Sequence, residues 1–131
     1  MSVDFIGNFL TIIRNGTMVA KRSVLAPYSK MCFDIAQILK EEGFIQDVFV
    51  ESLDKNKKVL KIMLKYVKGE SVIHELTRVS RPGLRAYTGV SNIKPVIGNL
   101  GVAILTTNRG VITHKKAKKL SVGGEIVCSV W

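Results

Sequence analysis

Short polar side chains, clustered lysines and one isolated glutamate lie together near the carboxyl end of the chain. Residues 104–125 read ILTTNRGVITHKKAKKLSVGGE. Thr106, Thr107 and Asn108 each offer a hydrogen-bond donor and acceptor on a short stem, and such groups can contact ribose hydroxyls, phosphate oxygens and base edges at close range. Taken alone, these residue types favour an ordinary turn that ends at Gly110. The neighbouring residues shift the interpretation towards a binding site.

A short lysine-rich helix is predicted over HKKAKKL, with Thr113 as its N-cap. Ala117 and Leu120 are expected to face the core. This leaves four lysines pointing outward: Lys115, Lys116, Lys118 and Lys119. His114 adds positive charge at the amino end of the helix, where the helix dipole disfavours cations unless an anion lies nearby. A charge run is usually only a solvated face, but here we interpret it as a phosphate-binding platform.

Charge is distributed unevenly along the 131 residues. Lys and Arg number 20 against 10 Asp and Glu, a net charge of +10. Residues 1–80 carry twelve basic and nine acidic side chains, whereas residues 81–131 carry eight basic and only one acidic side chain. A basic surface could serve solubility alone, but solubility would not require one half to lose its acids. The imbalance favours a nucleic-acid partner over this alternative and over an anionic membrane surface.

The single acid of the second half is Glu125, which follows the glycine pair Gly123 and Gly124. Two adjacent glycines would let another backbone approach closely. A carboxylate on a phosphate-binding surface is repelled by phosphates, so it needs a cationic partner within the protein or a donor on the nucleic acid. Arg109 is a candidate for the internal partner. The charge pattern leaves both alternatives open.

Motifs of enzymes, metal sites and membrane spans are missing from the sequence. His74 and His114 do not form an H-x-x-x-H pair, and Cys32 and Cys128 form no C-x-x-C pair. The chain has no nucleophile elbow, phosphate loop or dinucleotide fingerprint, and neither a secretory signal nor a membrane-length apolar run. We predict a cytoplasmic protein without catalytic residues, metal, cofactor or small-molecule substrate. A small nuclease is the alternative, but it would need paired carboxylates on the cationic face, where only Glu125 is present.

Hydrophobic periodicity predicts the elements that position these residues. Helical spacing over residues 2–14 predicts a first helix, capped by Ser2 and stopped at Asn15 and Gly16. A loop is expected next. A second helix capped by Ser29 then runs to about Glu42.

Strand patterns dominate the rest of the chain. Strands are predicted over residues 44–50 and 58–67, with a weaker third strand over residues 72–79. Pro82 and Gly83 form a turn signal where the charge balance changes, so the boundary between modules is placed there. The later strands are expected at about residues 84–88, 101–106, 110–113 and 125–130. Tyr87 is then either a stacking surface for a base or, as is commoner for a lone tyrosine, a core residue.

The predicted fold is therefore α+β, built from two small modules. An N-terminal module, residues 1–81, has the order α-β-α-β-β. A C-terminal module, residues 82–131, is mainly β with one short helix, and it carries the cationic surface.

Motifs along the whole chain resemble one family. The segment GVAILTTNRGVITHKKAKKLSVGGEIVCSVW and the upstream motifs IRNG, PYSK, IAQILKEEGFI and SRPGLRAY are similar to those of ribosomal protein eight of the bacterial small subunit. The resemblance implies a primary 16S rRNA-binding protein that docks on the central domain, helps to assemble the 30S platform and touches small-subunit proteins five and twelve. In some bacteria, members also repress translation of their own operon through a similar mRNA structure.

The resemblance also implies which residues contact RNA. It places a contact turn at residues 106–108 and a glycine-glutamate contact at residues 124–125, with weaker candidates in both modules. Together with the cations of the predicted platform, the predicted RNA-binding set is Thr106, Thr107, Asn108, Arg109, Gly124, Glu125, Lys115, Lys116, Lys119, Ser29, Lys30, Arg85 and Tyr87.

Four positions depart from the family pattern. Thr106 stands where the family usually has serine, and it preserves the hydroxyl. Asn108 replaces a usual hydroxyl with an amide, His114 stands where the family usually has aspartate, and Ile12 stands where it usually has arginine. The change at His114 is expected to increase the positive charge beside the RNA surface. The change at Ile12 removes one cation from the first helix.

Overall fold

The computed structural model describes residues 5–81, 83–89 and 101–131. The chain divides into two compact units, residues 1–73 and 74–131. The predicted α+β fold is confirmed, with the order α-β-α-β-β followed by a mainly β region with one short helix. Ser2 and Pro82, predicted as a helix cap and part of a turn, lie outside the described residues.

Two helices pack on the sheet of the first unit: α1, Phe5–Met18, and α2, Lys30–Glu41. Ser29 caps α2 as predicted, because its Oγ accepts a hydrogen bond from the Cys32 N–H at 3.1 Å. Each helix buries an apolar stripe, and the fully buried side chains include Phe9, Leu10, Ile35 and Leu39.

The three main strands of the first unit form an antiparallel sheet in the order β1-β3-β2. Their bounds are Ser23–Pro27 for β1, Ile45–Asp54 for β2 and Lys57–Leu64 for β3. Strand β1 is the first strand of the predicted order. It lies in a segment whose local pattern indicated only a loop, because the strand is stabilised by pairing with β3. A small hairpin follows, made by β4, Tyr66–Val67, and β5, Glu70–Ser71.

The predicted end of α1 at Gly16 is wrong. The helix continues through this buried glycine to Met18. A Cβ at Gly16 would lie 2.5 Å from Cγ1 of Val24 and 3.1 Å from Cδ1 of Leu64. The glycine therefore serves the close packing of α1 on the sheet rather than a helix stop.

Within the part of the second unit that the structure describes, the strands form a five-stranded antiparallel sheet. Strands β6, β10, β8 and β9 are neighbours in that order, and β7 also pairs with β10. Their bounds are Leu76–Arg78 for β6, Tyr87–Thr88 for β7, Val102–Thr107 for β8, Gly110–Thr113 for β9 and Gly124–Val130 for β10. The strand predicted over residues 72–79 is shorter than expected and joins this sheet, because Leu76 is buried where it pairs with Val130.

Helix α3, His114–Leu120, covers one face of the second sheet. Ala117 is completely buried and packs with Ala103, Leu105 and Ile112. Leu120 was also expected in the core, but it is 39% exposed. The helix ends at this residue, and the chain turns away through Ser121 in the left-handed conformation.

We predict that Gly16→Ala will lower the free energy of unfolding by about 1–3 kcal/mol. Alanine normally stabilises a helix interior relative to glycine, but here the added methyl group meets Val24 and Leu64. Thermal or urea unfolding of the variant measures the effect. Asn15→Ala, at the exposed neighbouring position of the same helix, is the control and should be neutral or stabilising. A stabilised Gly16→Ala variant would contradict the close packing.

Candidate nucleic-acid interface

The polar turn predicted as a binding site connects strands β8 and β9. Thr107 pairs with Gly110, which leaves Asn108 and Arg109 exposed at the tip. The Thr107 hydroxyl donates to the Gly110 carbonyl at 2.9 Å and accepts from the Arg109 N–H at 3.0 Å. Gly110 has a φ of 97°, which favours glycine. The Thr107 hydroxyl therefore holds the turn together, whatever else it contacts.

The glycine pair permits the close backbone approach that the sequence suggested, and the approaching backbone belongs to the same unit. A Cβ at Gly124 would collide with the Thr106 carbonyl oxygen and lie 2.8 Å from Cγ2 of Thr107. A Cβ at Gly123 would collide with the Thr88 carbonyl oxygen. The two glycines thus let the start of β10 fit tightly between its neighbours.

Three of the predicted residues form a row across this end of the sheet. Glu125 lies opposite Tyr87 on β7 and opposite Thr106 on β8. Residues directly opposite in antiparallel strands share a face. Thr107, one position further along, lies on the other face, the one on which α3 packs through Leu105. The predicted contacts therefore occupy both faces of one sheet end.

Glu125 is held by two donors from the segment before β7. Its Oε1 accepts from the Ser80 hydroxyl at 2.6 Å and from Nη1 of Arg85 at 2.9 Å. Ser80 is buried, and its Oγ also accepts from the Ala86 N–H at 3.2 Å. The internal cationic partner is therefore Arg85 and not Arg109, which was the candidate from sequence.

This network keeps the carboxylate ionised. The hydrogen bond from Ser80 lowers the pKa of Glu125 most; burial opposes it, and the Arg85 hydrogen bond and charge lower it further. The Glu125 side chain is only 16% exposed, against 47% for Arg85. The sheet end thus carries a shielded negative charge with a solvent-facing cation beside it. Ser80 was missed because it contacts Glu125 across 45 positions, for which the local pattern gives no signal.

Tyr87 is 71% exposed, so the structure excludes the core position, which was the commoner of the two alternatives from sequence. Its backbone pairs with that of Glu125, which places Tyr87 on the edge strand β7. An exposed aromatic ring on a strand is a suitable surface for stacking an unpaired base.

Helix α3 presents its lysines as predicted. Thr113 caps the helix by accepting from the Lys116 N–H at 3.2 Å. All four lysines, 115, 116, 118 and 119, are exposed. They form one cationic patch on a short helix, which we call the lysine platform.

His114 does not add the positive charge that was expected at the start of α3. The imidazole is buried, and its Nδ1 accepts a hydrogen bond from the Ala103 N–H at 3.0 Å. A ring nitrogen that accepts such a bond carries no proton, so this geometry requires the neutral form. The histidine ties α3 to β8.

Two weaker candidates, Ser29 and Lys30, lie in the first unit. The Ser29 hydroxyl is used to cap α2. Lys30 is exposed and forms an ion pair with Asp34 at 3.7 Å. Such exposed pairs are weak and leave the ammonium free to exchange partners.

The described residues offer little for other chemistry. They contain no group of three or more His, Cys, Asp or Glu side chains that could hold a metal ion. Cys32 and Cys128 are buried, and burial raises the pKa of Cys128 to about 12. Within the same described ranges, no helix is long and apolar enough to span a membrane.

The chain is similar to known proteins over nearly its whole length. The family model for ribosomal protein S8 matches residues 4–131. Small ribosomal subunit protein uS8 of Paracidovorax citrulli is 50% identical over 127 residues, covering 97% of this chain and 96% of that protein. The proteins of the same name from Chromobacterium violaceum and Stenotrophomonas maltophilia are 49% and 46% identical with the same coverage. The chain therefore belongs to the ribosomal protein S8 family, whose members are structural ribosomal components and not enzymes.

Proposed function

We propose that this protein binds 16S rRNA directly, docks on its central domain and helps to assemble the platform of the 30S subunit in the bacterial cytoplasm. The observation that carries the proposal is the sheet end where Thr106, Glu125 and the exposed Tyr87 lie in one row. A surface with a stacking ring, a carboxylate and small polar groups suits an irregular RNA stem with accessible bases.

The lysine platform and the row would play different parts in binding. The exposed ammonium groups on α3 attract phosphates without regard to sequence. The Glu125 carboxylate can accept hydrogen bonds from base amino or imino groups, and it cannot accept from phosphate. Affinity would come mainly from the platform, and selectivity from the row.

We assign this activity to the C-terminal module, residues 82–131, with residues 1–81 as a separate α/β module. Ser80 precedes that predicted boundary but lies in the second compact unit, residues 74–131, and it contributes to the RNA-binding surface because it holds Glu125. The RNA-binding surface at the β8–β9 end of this module would also include Thr106, Asn108, Arg109 and Gly124. Further contacts would come from Ser29 and Lys30 in the first unit.

The proposal extends to the partners that the family resemblance implies. On the ribosome these are small-subunit proteins five and twelve. The protein would also repress translation of its own operon wherever the mRNA folds into a stem that resembles the rRNA site, since the same surface would accept both RNAs.

Crosslinking the pure protein to total RNA and sequencing the bound fragments tests the proposal. We expect one preferred stem in the central domain of 16S rRNA. Fragments spread over many RNAs without a preferred stem would contradict it.

Replacing Lys116 and Lys119 by alanine should weaken binding to cognate and unrelated RNA alike. Each substitution should flatten the dependence of log K on log salt by at most about one unit, because each lysine displaces counterions from at most one phosphate. Affinities measured over a series of salt concentrations give the slope. An unchanged slope in the double variant would remove the lysine platform from the interface.

Thr107→Val should weaken binding to the cognate stem by about 1–3 kcal/mol if a buried RNA group loses its partner. Because the hydroxyl also bonds the turn, the variant should lose some stability as well. Thr107→Ser keeps both hydrogen bonds and is the matched control, expected to bind like the wild type. An equal loss of affinity for cognate and random duplex in the valine variant would limit Thr107 to forming the turn.

A further inference from the structure

Strand β2 is acidic, although the protein as a whole is strongly basic. Its sequence, IQDVFVESLD, contains Asp47, Glu51 and Asp54 and no lysine or arginine. The whole chain has 20 basic and 10 acidic side chains, so three of the ten acids lie on this one strand. A strand with this charge repels the phosphates that a basic surface attracts.

The same strand stands at the end of its sheet. The strand order is β1-β3-β2, so among the described residues only one edge of β2 has a strand neighbour. In an edge strand, alternate backbone groups point away from that neighbour and can pair with a further strand. Bulges interrupt the pairing with β3 between Ile45 and Asp47 and between Ser52 and Asp54, and the pairing is regular over residues 47–52. This regular segment is long enough to pair with a short extended peptide.

Two side chains of the regular segment are exposed on one face of the sheet. Phe49 is 47% exposed and lies opposite Lys61. Glu51 is also exposed, and it lies opposite Val59. Val48, between Asp47 and Phe49, points to the other face and is buried. The exposed face of β2 therefore carries an aromatic ring beside a carboxylate that has no cation directly opposite it.

Contacts within the protein already engage the amino end of this segment. Oδ1 of Asp47 lies 2.9 Å from Nζ of Lys40 and accepts from the Val48 N–H at 2.8 Å. A strand added beside β2 would then find Phe49 and Glu51 as its neighbours. The residues that pair favourably with them are an apolar side chain opposite the ring and a cation opposite the carboxylate.

We propose that the free edge of β2 binds an extended segment of a partner protein, in which basic and apolar residues occupy alternate positions. The segment would add a strand to the sheet, with a lysine or arginine opposite Glu51 and an apolar side chain against Phe49. RNA is disfavoured because β2 carries no cation. A second copy of the chain is disfavoured because it would bring two acidic strands together.

The capped heptapeptide TKVVVKT is the probe for this edge, because an extended chain of this sequence places lysine, valine and lysine on one face. Titrated into the isotope-labelled protein, it should shift the amide NMR signals of residues 47–52. Two matched peptides should leave these signals in place: TKVVVKT that is N-methylated at its three valines, which cannot donate to a strand there, and TEVVVET, which has the opposite charge. Equal shifts with all three peptides would overturn the proposal.

Substitutions on β2 test the two side-chain contacts. Glu51→Lys should bind TKVVVKT about fivefold more weakly than the wild type and should bind TEVVVET more tightly, because the charge of the pair is reversed. Phe49→Thr keeps a good strand former and should also weaken the binding of TKVVVKT. Glu70→Lys, which reverses an exposed acid outside β2, is the matched control and should bind both peptides like the wild type. Equal weakening by Glu51→Lys and Glu70→Lys would mean that only general charge attraction is involved, contrary to the proposal.

The same NMR signals distinguish the partner segment from the two other occupants. Neither an unrelated RNA duplex nor dilution of the protein alone should move the signals of residues 47–52. Movement with RNA would assign the edge to nucleic acid, and movement on dilution would assign it to a second copy; either result would overturn the proposal.

The proposal does not depend on the proposed function, because β2 carries none of the residues assigned to RNA binding. Phe49→Thr should therefore bind the 16S rRNA stem with the affinity of the wild type while it loses affinity for TKVVVKT. A wild type that binds the peptide at β2 but shows no preference for the stem would contradict the proposed function alone. A wild type that prefers the stem but does not bind the peptide would contradict the strand-binding edge alone.

Discussion

The close fit of strand β10 between its two neighbours is the constraint on which the candidate interface depends. Gly123 and Gly124 are the residues at which a side chain would collide with the carbonyl oxygens of Thr88 and Thr106. Because these positions are glycine, one strand can pair with β7 and β8 at once. Tyr87, Glu125 and Thr106 come into one row only through this double pairing. A bulkier residue at either glycine would separate the strands and disperse the row.

The candidate interface also requires that the Glu125 carboxylate stays ionised within that row. A largely buried carboxylate is costly unless it is paired and hydrogen-bonded. Ser80 and Arg85 meet this need from the segment before β7, and they tie that segment to β10 at the same time. The network thus fixes the carboxylate and positions the strand that carries Tyr87. On the other face of the sheet, the lysine platform needs only exposure and a capped helix.

Local signals in the sequence predicted the parts of the fold that depend on neighbouring residues. The caps at Ser29 and Thr113 and the alternation that buries Leu60 follow from spacing alone, and each is present.

Contacts between distant segments were not predictable in the same way. Gly16 was predicted to end α1 because the local sequence pattern gives no sign of its close neighbours, Val24 on β1 and Leu64 on β3. His114 was predicted to be a cation because the sequence does not show that its Nδ1 accepts a hydrogen bond from the Ala103 N–H. Likewise, the hydrogen bond between Ser80 and Glu125 joins residues that are 45 positions apart in the sequence. The family resemblance indicated that residues 124–125 matter, but it did not indicate what holds them.

The affinity of Glu125→Gln for two RNAs tests the central claim most directly. Binding to the 16S rRNA stem and to an unrelated duplex is measured at one salt concentration, with a thermal melt to establish folding. If the carboxylate selects RNA, cognate binding weakens by about 1–3 kcal/mol, while binding to the duplex is unchanged or stronger. Glu70→Gln, which replaces an exposed carboxylate of the first unit, controls for the loss of one negative charge. Equal tightening of both complexes by Glu125→Gln would contradict the account.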